Sequence, residues 1–495
     1  MDPLVLVIAA ALIVLVVGGV VATMRYRYTR PNTASVRMIA ILTVVLAILT
    51  VGVYALPRVT ASPGGNSSSG FAGSPTIAHS PIAGQSPTST LTQSPTGSTT
   101  IKIGSDLPIS GGDASVGLPI QNAIHLAIDE ANANHSIPGY TLVFAPRDDV
   151  GPSGVHDPAV GSQNVTALIG DALVAGIVGP FNSSVSKAEM PITNQAPIAL
   201  ISPSNTTPCL TKNTPQSGCT GASDLVATLR PTGNINYFRI SVTDDNQAIA
   251  AANYLFTTLG YRNAYVIDDA ESYGIGLANN FVQAWKANGG SVPGHDSLPA
   301  TTTNFSTELA KVAAAKPDVI YFGGVDATGG TAIRQQMLQV QGLQNTPFVG
   351  GDGINTPTFA TTIGANSGGP VYSTTAFLDV TKLPQDFISR YQNAYGQVGT
   401  YSAYGYDCAN ILIQAIKTAL ANGANTPANS SDTAGAQAFR QAVINALKSI
   451  AYDGVTGHQS FDANGDTTAK NISVYQLANV NGQPGWKFIT TVAVK

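Results

Sequence analysis

The sequence predicts an α/β protein with two lobes, each built on a parallel sheet. Three observations carry this. From Ile101 onward, short apolar runs alternate with amphipathic stretches of about a dozen residues, the pattern of parallel strands covered by helices on both faces. Roughly 395 residues of this pattern are too many for a single such sheet. Loops rich in glycine and hydroxyl residues recur after the strands, at the edge where such sheets bind ligands.

A different segment comes first. Leu4 to Val21 is an apolar run long enough to cross a bilayer, and Met38 to Leu56 is a second. Arg25, Arg27, Arg30 and Arg37 lie between them with no acidic residue, so the positive-inside rule keeps this loop in the cytoplasm and places everything after Leu56 outside. Only Asp2 and Pro3 precede the first run, where a signal peptide carries positive charge, and no cysteine is near either run for lipid attachment. Residues 1–56 are therefore expected as a transmembrane helical hairpin; cleavage near Val59 to Ala61 is the less favoured alternative. Residues 57–100 are Ser, Thr, Pro and Gly with almost no charge, which predicts a disordered tether. Its roughly 40 residues have a mean reach on the order of 35 Å.

In the soluble part, Ile101–Asp106 opens as a strand, followed by the glycine loop Leu107–Asp113 and a helix over Gly117–Asn134. Thr141–Ala145 is the next strand and Pro158–Ile169 the next helix. The stretch from Val174 to Cys209 forms one βαβ unit. Val174–Val178 is a strand broken by Gly179-Pro180, and Asn182, Ser183 and Ser184 start a helix that runs to about Asn194. Ile198–Ile201 is a second strand, and Ser202–Pro208 is a second hydroxyl loop. The parallel connection brings both loops to one carboxyl edge, and a helix start with free N–H groups suits a carboxylate. Simple helix capping is the alternative use of the same serines. Strands at Tyr237–Ser241, Ala264–Ile267, Val319–Phe322 and Phe348-Val349 then alternate with helices over 247–259, 276–288, 305–315 and 328–341. The Asp462–Asp466 run lacks the closing glutamate of a calcium loop, and is expected as a hairpin turn joining Ser460-Phe461 to Ile472–Leu477.

Charged residues are 11% of the 495, with 24 basic against 28 acidic and a net charge of -4, so no nucleic-acid surface is expected. The 6 histidines and 3 cysteines show no metal-ligand spacing, and neither metal nor cofactor is expected. Cys209 and Cys219 share one extracytoplasmic loop and are expected to form a local disulfide. Cys408, on a helix over 403–421, is expected as a buried apolar residue. There is no G-x-S-x-G elbow, P-loop or H-E-x-x-H, and Gly274-Ile275-Gly276 lacks the third glycine of a dinucleotide site, so no enzyme is expected.

Seven segments in order carry a resemblance: IKIGSDLPISG, GIVGPFNSSVSKAEMPI, IALISPSNTTPCLT, DDAESYGIGLA, PDVIYFGG, FVGGDG and YDGVTGHQSFDANGD. They resemble the type I periplasmic binding proteins of the branched-chain amino-acid (Leu/Ile/Val) group, the substrate-binding subunits of ABC importers. The resemblance covers about Ile101 to Val494. It implies two Rossmann-like lobes joined by three crossovers and closing on a ligand, one over 101–241 plus 376–450 and the other over 242–375 plus 451–495. It further implies that Ser183, Ser204 and Thr206 hold a ligand carboxylate, that Tyr273 contacts the ligand, and that Asp352 takes its ammonium group. Charges at both ends of the ligand would then bridge the cleft and favour closure. Two positions depart from the family pattern. Val116 and Val325 stand where aromatics wall the ligand's side chain, which puts leucine-type specificity in doubt. Asp113 and Asp326 are then either solvated turn residues or acceptors for a polar or cationic group, and Tyr273 serves equally well as a packing residue.

The expected function is a membrane-tethered extracytoplasmic solute-binding protein, leucine-binding-protein-like, delivering an amino acid or related zwitterion to an ABC permease. A sensory ectodomain acting through a partner membrane protein is the alternative; the cytoplasmic loop is too short to hold a signalling domain.

Overall fold

The structure is a computed structural model and describes residues 99–213 and 225–493. The expected membrane hairpin, the expected tether up to residue 98 and Cys219 lie outside the described residues. Among the described residues, no helix is long and apolar enough to cross a membrane.

The first lobe rests on strands β1 (Thr99–Leu107), β2 (Tyr140–Asp148), β3 (Val174–Val178), β4 (Ala199–Ser202) and β5 (Tyr237–Arg239). They pair in the order β2-β1-β3-β4-β5, all parallel. β3 and β4 are buried along their whole length, which is why they read as unbroken apolar runs rather than alternating ones. Between them run helices α1 (Ala114–Ala133), α2 (Pro158–Gly170) and α3 (Ser183–Gln195). The second lobe repeats this order with β6 (Ala264–Asp268), β7 (His295–Ser297), β8 (Val319–Gly323), β9 (Phe348–Gly350) and β10 (Val371–Thr375). Here the parallel order is β7-β6-β8-β9-β10. Its helices are α4 (Asp244–Asn253), α5 (Ser272–Ala287), α6 (Ser306–Ala315), α7 (Thr331–Met337) and α8 (Pro357–Ile363). In each lobe the chain reverses direction across the sheet once, between β1 and β3 and between β6 and β8. Such a switch point opens a crevice at the carboxyl ends of the strands.

Three helices return to the first lobe: α9 (Gln385–Tyr395), α10 (Ser402–Ala421) and α11 (Thr433–Leu447). Their apolar faces share one core with α1, β1, β3 and β4. A hairpin of β11 (Ala451–Gly454) and β12 (Gly457–Ser460) follows, and then β13 (Asn471–Val480) and β14 (Gln483–Ala493), which extend the second sheet antiparallel beside β10. The chain thus passes between lobes around residues 240–243, 376–379 and 468–470. The passages lie together, since Val242, Ala376 and Ile472 form a small buried cluster against which Ala469 packs.

Three local expectations are corrected. Residues 451–467, expected in the second lobe, pack on the first. Tyr452, Val455 and Phe461 lie against its core, and the buried Asp407 carboxylate accepts from the N–H groups of Val455 and Thr456 at 3.0 and 2.8 Å. Without that hairpin, Asp407 would be a buried charge short of donors. The expected pairing of Ser460-Phe461 with 472–477 is absent: β12 pairs with β11, the 462–466 turn closes through a Phe461–Thr467 bridge, and β13 folds onto β14. The single helix expected over 328–341 is divided. Gly329, at φ 147°, lies within a wide turn over Asp326–Gly330 that precedes α7, a conformation that side chains beyond glycine rarely adopt.

Behind the first sheet edge, Asp106, Asp149 and Glu189 are fully buried. Asn164 donates to Asp106 Oδ1 at 2.8 Å, but Asp106 Oδ2 and both oxygens of Asp149 and Glu189 meet no donor. Burial, reinforced by the neighbouring carboxylates, pushes Asp106 up to about 6 and the other two well above the usual range. A protonated Glu189 supplies the donor that Asp106 lacks. Because folding favours these protonated forms, their stabilising contribution is present at acid pH and is lost as pH rises through the raised values. Glu189→Gln keeps a donor and removes the charge. Its unfolding free energy is expected to match wild type near pH 5 and to exceed it by about 1–3 kcal/mol near pH 9; equality with wild type at both pH values would refute the shared proton.

Candidate ligand-binding cleft

The carboxyl edges of the two sheets face one narrow cleft, open in part to solvent. Ser183, Ser204 and Thr206 line it from the first lobe, and Tyr273, Val325 and Asp352 from the second. Val116 is not among the lining residues. It is buried in the first turn of α1, where Gly117 approaches the Pro108 carbonyl so closely that an added Cβ would lie 2.0 Å from the oxygen. At that end the wall is His156 instead.

On the first lobe, β3 is followed by Gly179, whose φ of 128° and approach to the Asp106 carbonyl exclude a side chain. That sharp exit sets the start of α3 against the cleft. The Asn182 side chain does not cap α3, and its Oδ1 is buried without a partner. The loop after β4 is braced from beneath. The Ser202 hydroxyl accepts from Asn205 N at 3.0 Å, Ser204 Oγ donates to the Phe181 carbonyl at 3.0 Å, and the buried Arg239 donates to the Thr207 carbonyl at 2.6 Å. Thr206 is held nearly buried by this bracing, yet its Oγ1 has no aligned hydrogen bond, although the Asp244 carboxylate is near. A buried hydroxyl left unsatisfied at a helix-start cleft is a place prepared for a ligand atom.

On the second lobe, Asp352 follows β9 between two glycines and is 7% exposed. Its Oδ1 accepts from Gln247 Nε2 at 2.7 Å and the Tyr273 hydroxyl at 2.9 Å, and its Oδ2 from the Tyr401 hydroxyl at 2.8 Å. All three donors are neutral, and no cation pairs with Asp352 among the described residues. Burial raises its carboxyl above the ordinary 3.8, with the three hydrogen bonds opposing. Tyr273 thus does more than pack: it orients Asp352 and accepts from Gly353 N at 3.3 Å. Tyr401 reaches Asp352 from the first lobe, and Thr207 Oγ1 donates across the cleft to the Ser272 carbonyl at 3.2 Å. The lobes are closed on each other.

Neither Asp113 nor Asp326 is a free acceptor. Asp113 Oδ2 lies 2.7 Å from His156 Nδ1, and Asp326 accepts from the hydroxyls of Thr356, at 2.7 Å, and Thr331. Cys209 is disulfide-bonded, while its expected partner Cys219 lies outside the described residues. Cys408 is free and fully buried on α10. The sequence pointed to none of Gln247, Tyr401, His156 or Glu271, the last of which also lines the cleft.

The profile of the periplasmic binding protein family matches residues 100–483. The chain belongs to this family. Its relatives include Leu/Ile/Val-binding proteins, the group that the order of motifs resembles. The Leu/Ile/Val-binding protein BraC3 of Rhizobium johnstonii is 26% identical over 386 residues, covering 76% of this chain and 91% of that protein. An amino acid binding protein of Pseudomonas aeruginosa is 25% identical over 382 residues, 76% and 90% of the two chains. Among solved structures, the leucine binding protein LivK from Thermotoga maritima superposes with a TM-score of 0.63 at 22% identity, covering 79% and 99%. A solute binding protein from Rhodopseudomonas palustris, in complex with 3,4-dihydroxybenzoic acid, does so at 0.61 and 20% identity, covering 80% and 97%. The shared fold therefore leaves the ligand open.

Proposed function

We propose that this periplasmic binding protein captures an amino acid or a related small zwitterion between its lobes and delivers it to an ABC importer. We further propose that residues 1–56 anchor it in the membrane, with the binding domain on the extracytoplasmic side. The observation that carries the assignment is the cleft's polarity. A buried carboxylate without a cation, Asp352, lies across from the start of α3 and the unsatisfied Thr206 hydroxyl. A ligand with an ammonium at one end and a carboxylate at the other satisfies both lobes at once, and its affinity depends on their being closed. The names of the Rhizobium and Pseudomonas relatives agree with such a solute.

Calorimetry of the full-length chain against the standard amino acids tests this. Thr206→Val is the informative variant, because it removes a cleft-lining hydroxyl whose one nearby protein acceptor among the described residues is the Asp244 carboxylate. It is expected to weaken the bound amino acid by about 1.5–3 kcal/mol, as for a hydrogen bond to a charged group. Unaltered affinity would remove Thr206 from the site, and no binding of any amino acid would sink the assignment.

A further inference from the structure

Beyond the two charged ends, a solute is distinguished by what the cleft offers its side chain. On the first lobe that wall carries His156, with its side chain 3% exposed. Its Nδ1 faces Asp113 Oδ2 at 2.7 Å and must carry a proton to bond there, while Nε2 has no hydrogen-bond partner among the described residues. On the second lobe, Glu271 immediately precedes α5, but its carboxylate does not cap the helix and has no hydrogen-bond partner among the described residues. Asp269, next to it on the lining, is already committed: it accepts from Thr328 Oγ1 at 2.6 Å and from Glu271 N at 3.0 Å. Burial works against a charge on His156, but Asp113, Glu271 and Asp269 outweigh it and hold the ring above its ordinary value. The imidazolium form, which these carboxylates favour, carries a second proton on Nε2 and makes it a donor. The cleft presents one unspent donor on one lobe and one unspent acceptor on the other.

An aliphatic side chain would strip water from both groups and replace none of its hydrogen bonds. A group carrying both a carbonyl oxygen and an N–H satisfies them together. Val325, 7% exposed, supplies apolar surface for the methylenes leading to it.

We propose that His156 and Glu271 read the ligand's side chain, and that the preferred solute is an α-amino acid ending in a carboxamide or ureido group, its carbonyl accepting from His156 Nε2–H and its N–H donating to Glu271. This rests on the zwitterion assignment above and narrows it.

Calorimetry of the full-length chain with L-glutamine, L-asparagine, L-citrulline, L-leucine, L-isoleucine and L-valine, each alone, is the test. At least one of the first three is expected to bind about tenfold or more tighter than every aliphatic one. Glu271→Leu and His156→Leu should each reduce that preference about tenfold and raise the affinity for leucine. Since His156→Leu also strips Asp113 of its partner, Glu271→Leu, at a half-buried position, decides the matter if the histidine variant misfolds. If wild type takes an aliphatic solute as tightly as the best amide, or keeps its preference in Glu271→Leu, the proposal is overturned and the zwitterion assignment stands. If no amino acid binds at all, the assignment fails and takes the proposal with it.

Discussion

Replacing Asp352 with asparagine is expected to leave the protein folded and to weaken its amino-acid ligand by about 2–5 kcal/mol, roughly thirtyfold to several thousandfold. Asparagine still offers an acceptor to Gln247 and Tyr273, so the network around the site keeps most of its hydrogen bonds. What disappears is the charge. In wild type that charge is buried among neutral donors, and on the proposed reading a ligand ammonium compensates it. The same geometry sets a pH dependence. The empty carboxyl is held above 3.8, mainly by burial, so it takes up its proton earlier than an exposed aspartate on acidification. The protonated form cannot pair with an ammonium. Affinity should therefore be full near pH 7 and fall as pH drops through that raised value, with a proton released on binding in the falling region. Calorimetry in two buffers of different ionisation heat, from about pH 7 to about pH 4, measures both affinity and proton release. A wild-type affinity that is flat across the range, or an Asp352→Asn variant that binds as well as wild type, would remove the ammonium contact.

What the sequence revealed and what it hid divide along a physical line. The β3-α3-β4 unit was legible because its signals are local: an apolar run, the Gly179-Pro180 break, hydroxyls at a helix start, a second run, a second hydroxyl loop. Asp352 was legible because two glycines at a strand end mark a close backbone approach. The residues that complete the site join it only through tertiary packing. Gln247 and Asp352 are 105 positions apart, and Tyr401 enters from the other lobe before a helix whose pattern concerns its own core. His156 lies in a loop with no period to read, and its role emerges only once Asp113 is seen beside it. Val116 shows the converse. Its position in a motif placed it at the ligand, but the contact of Gly117 with Pro108 holds that turn of α1 in the core. The resemblance places the 451–467 segment in the second lobe, whereas its lobe is decided by Asp407, which needs the hairpin's N–H groups.

The largest loss of stability is expected from Arg239→Met. Arg239 is wholly buried on β5 and donates from Nε to Asp466 Oδ1 at 2.8 Å, from one terminal nitrogen to the Thr207 carbonyl at 2.6 Å, and from the other to Thr211 Oγ1 at 2.6 Å. It therefore ties the second hydroxyl loop to the turn at 462–466, joining two distant stretches of chain under the cleft. Removing it strands Asp466, which is 3% exposed, with Lys212 at 3.1 Å as its remaining cation, and leaves the Thr207 carbonyl short of a donor. Breaking a buried pair from one side costs about 3–5 kcal/mol, to be read from the denaturation midpoint. Burial alone would raise Asp466, but Arg239 and Lys212 outweigh it and hold its carboxyl below 3.8. With a depressed folded value, its contribution is present at neutral pH and is lost as pH falls, so the gap between wild type and Arg239→Met should narrow on acidification. Adding Asp466→Asn removes the stranded charge and should recover most of the stability. It should not restore ligand affinity, because the loop that presents Thr206 still lacks its anchor. Recovery of both together would mean that Arg239 serves the pair alone and the site not at all.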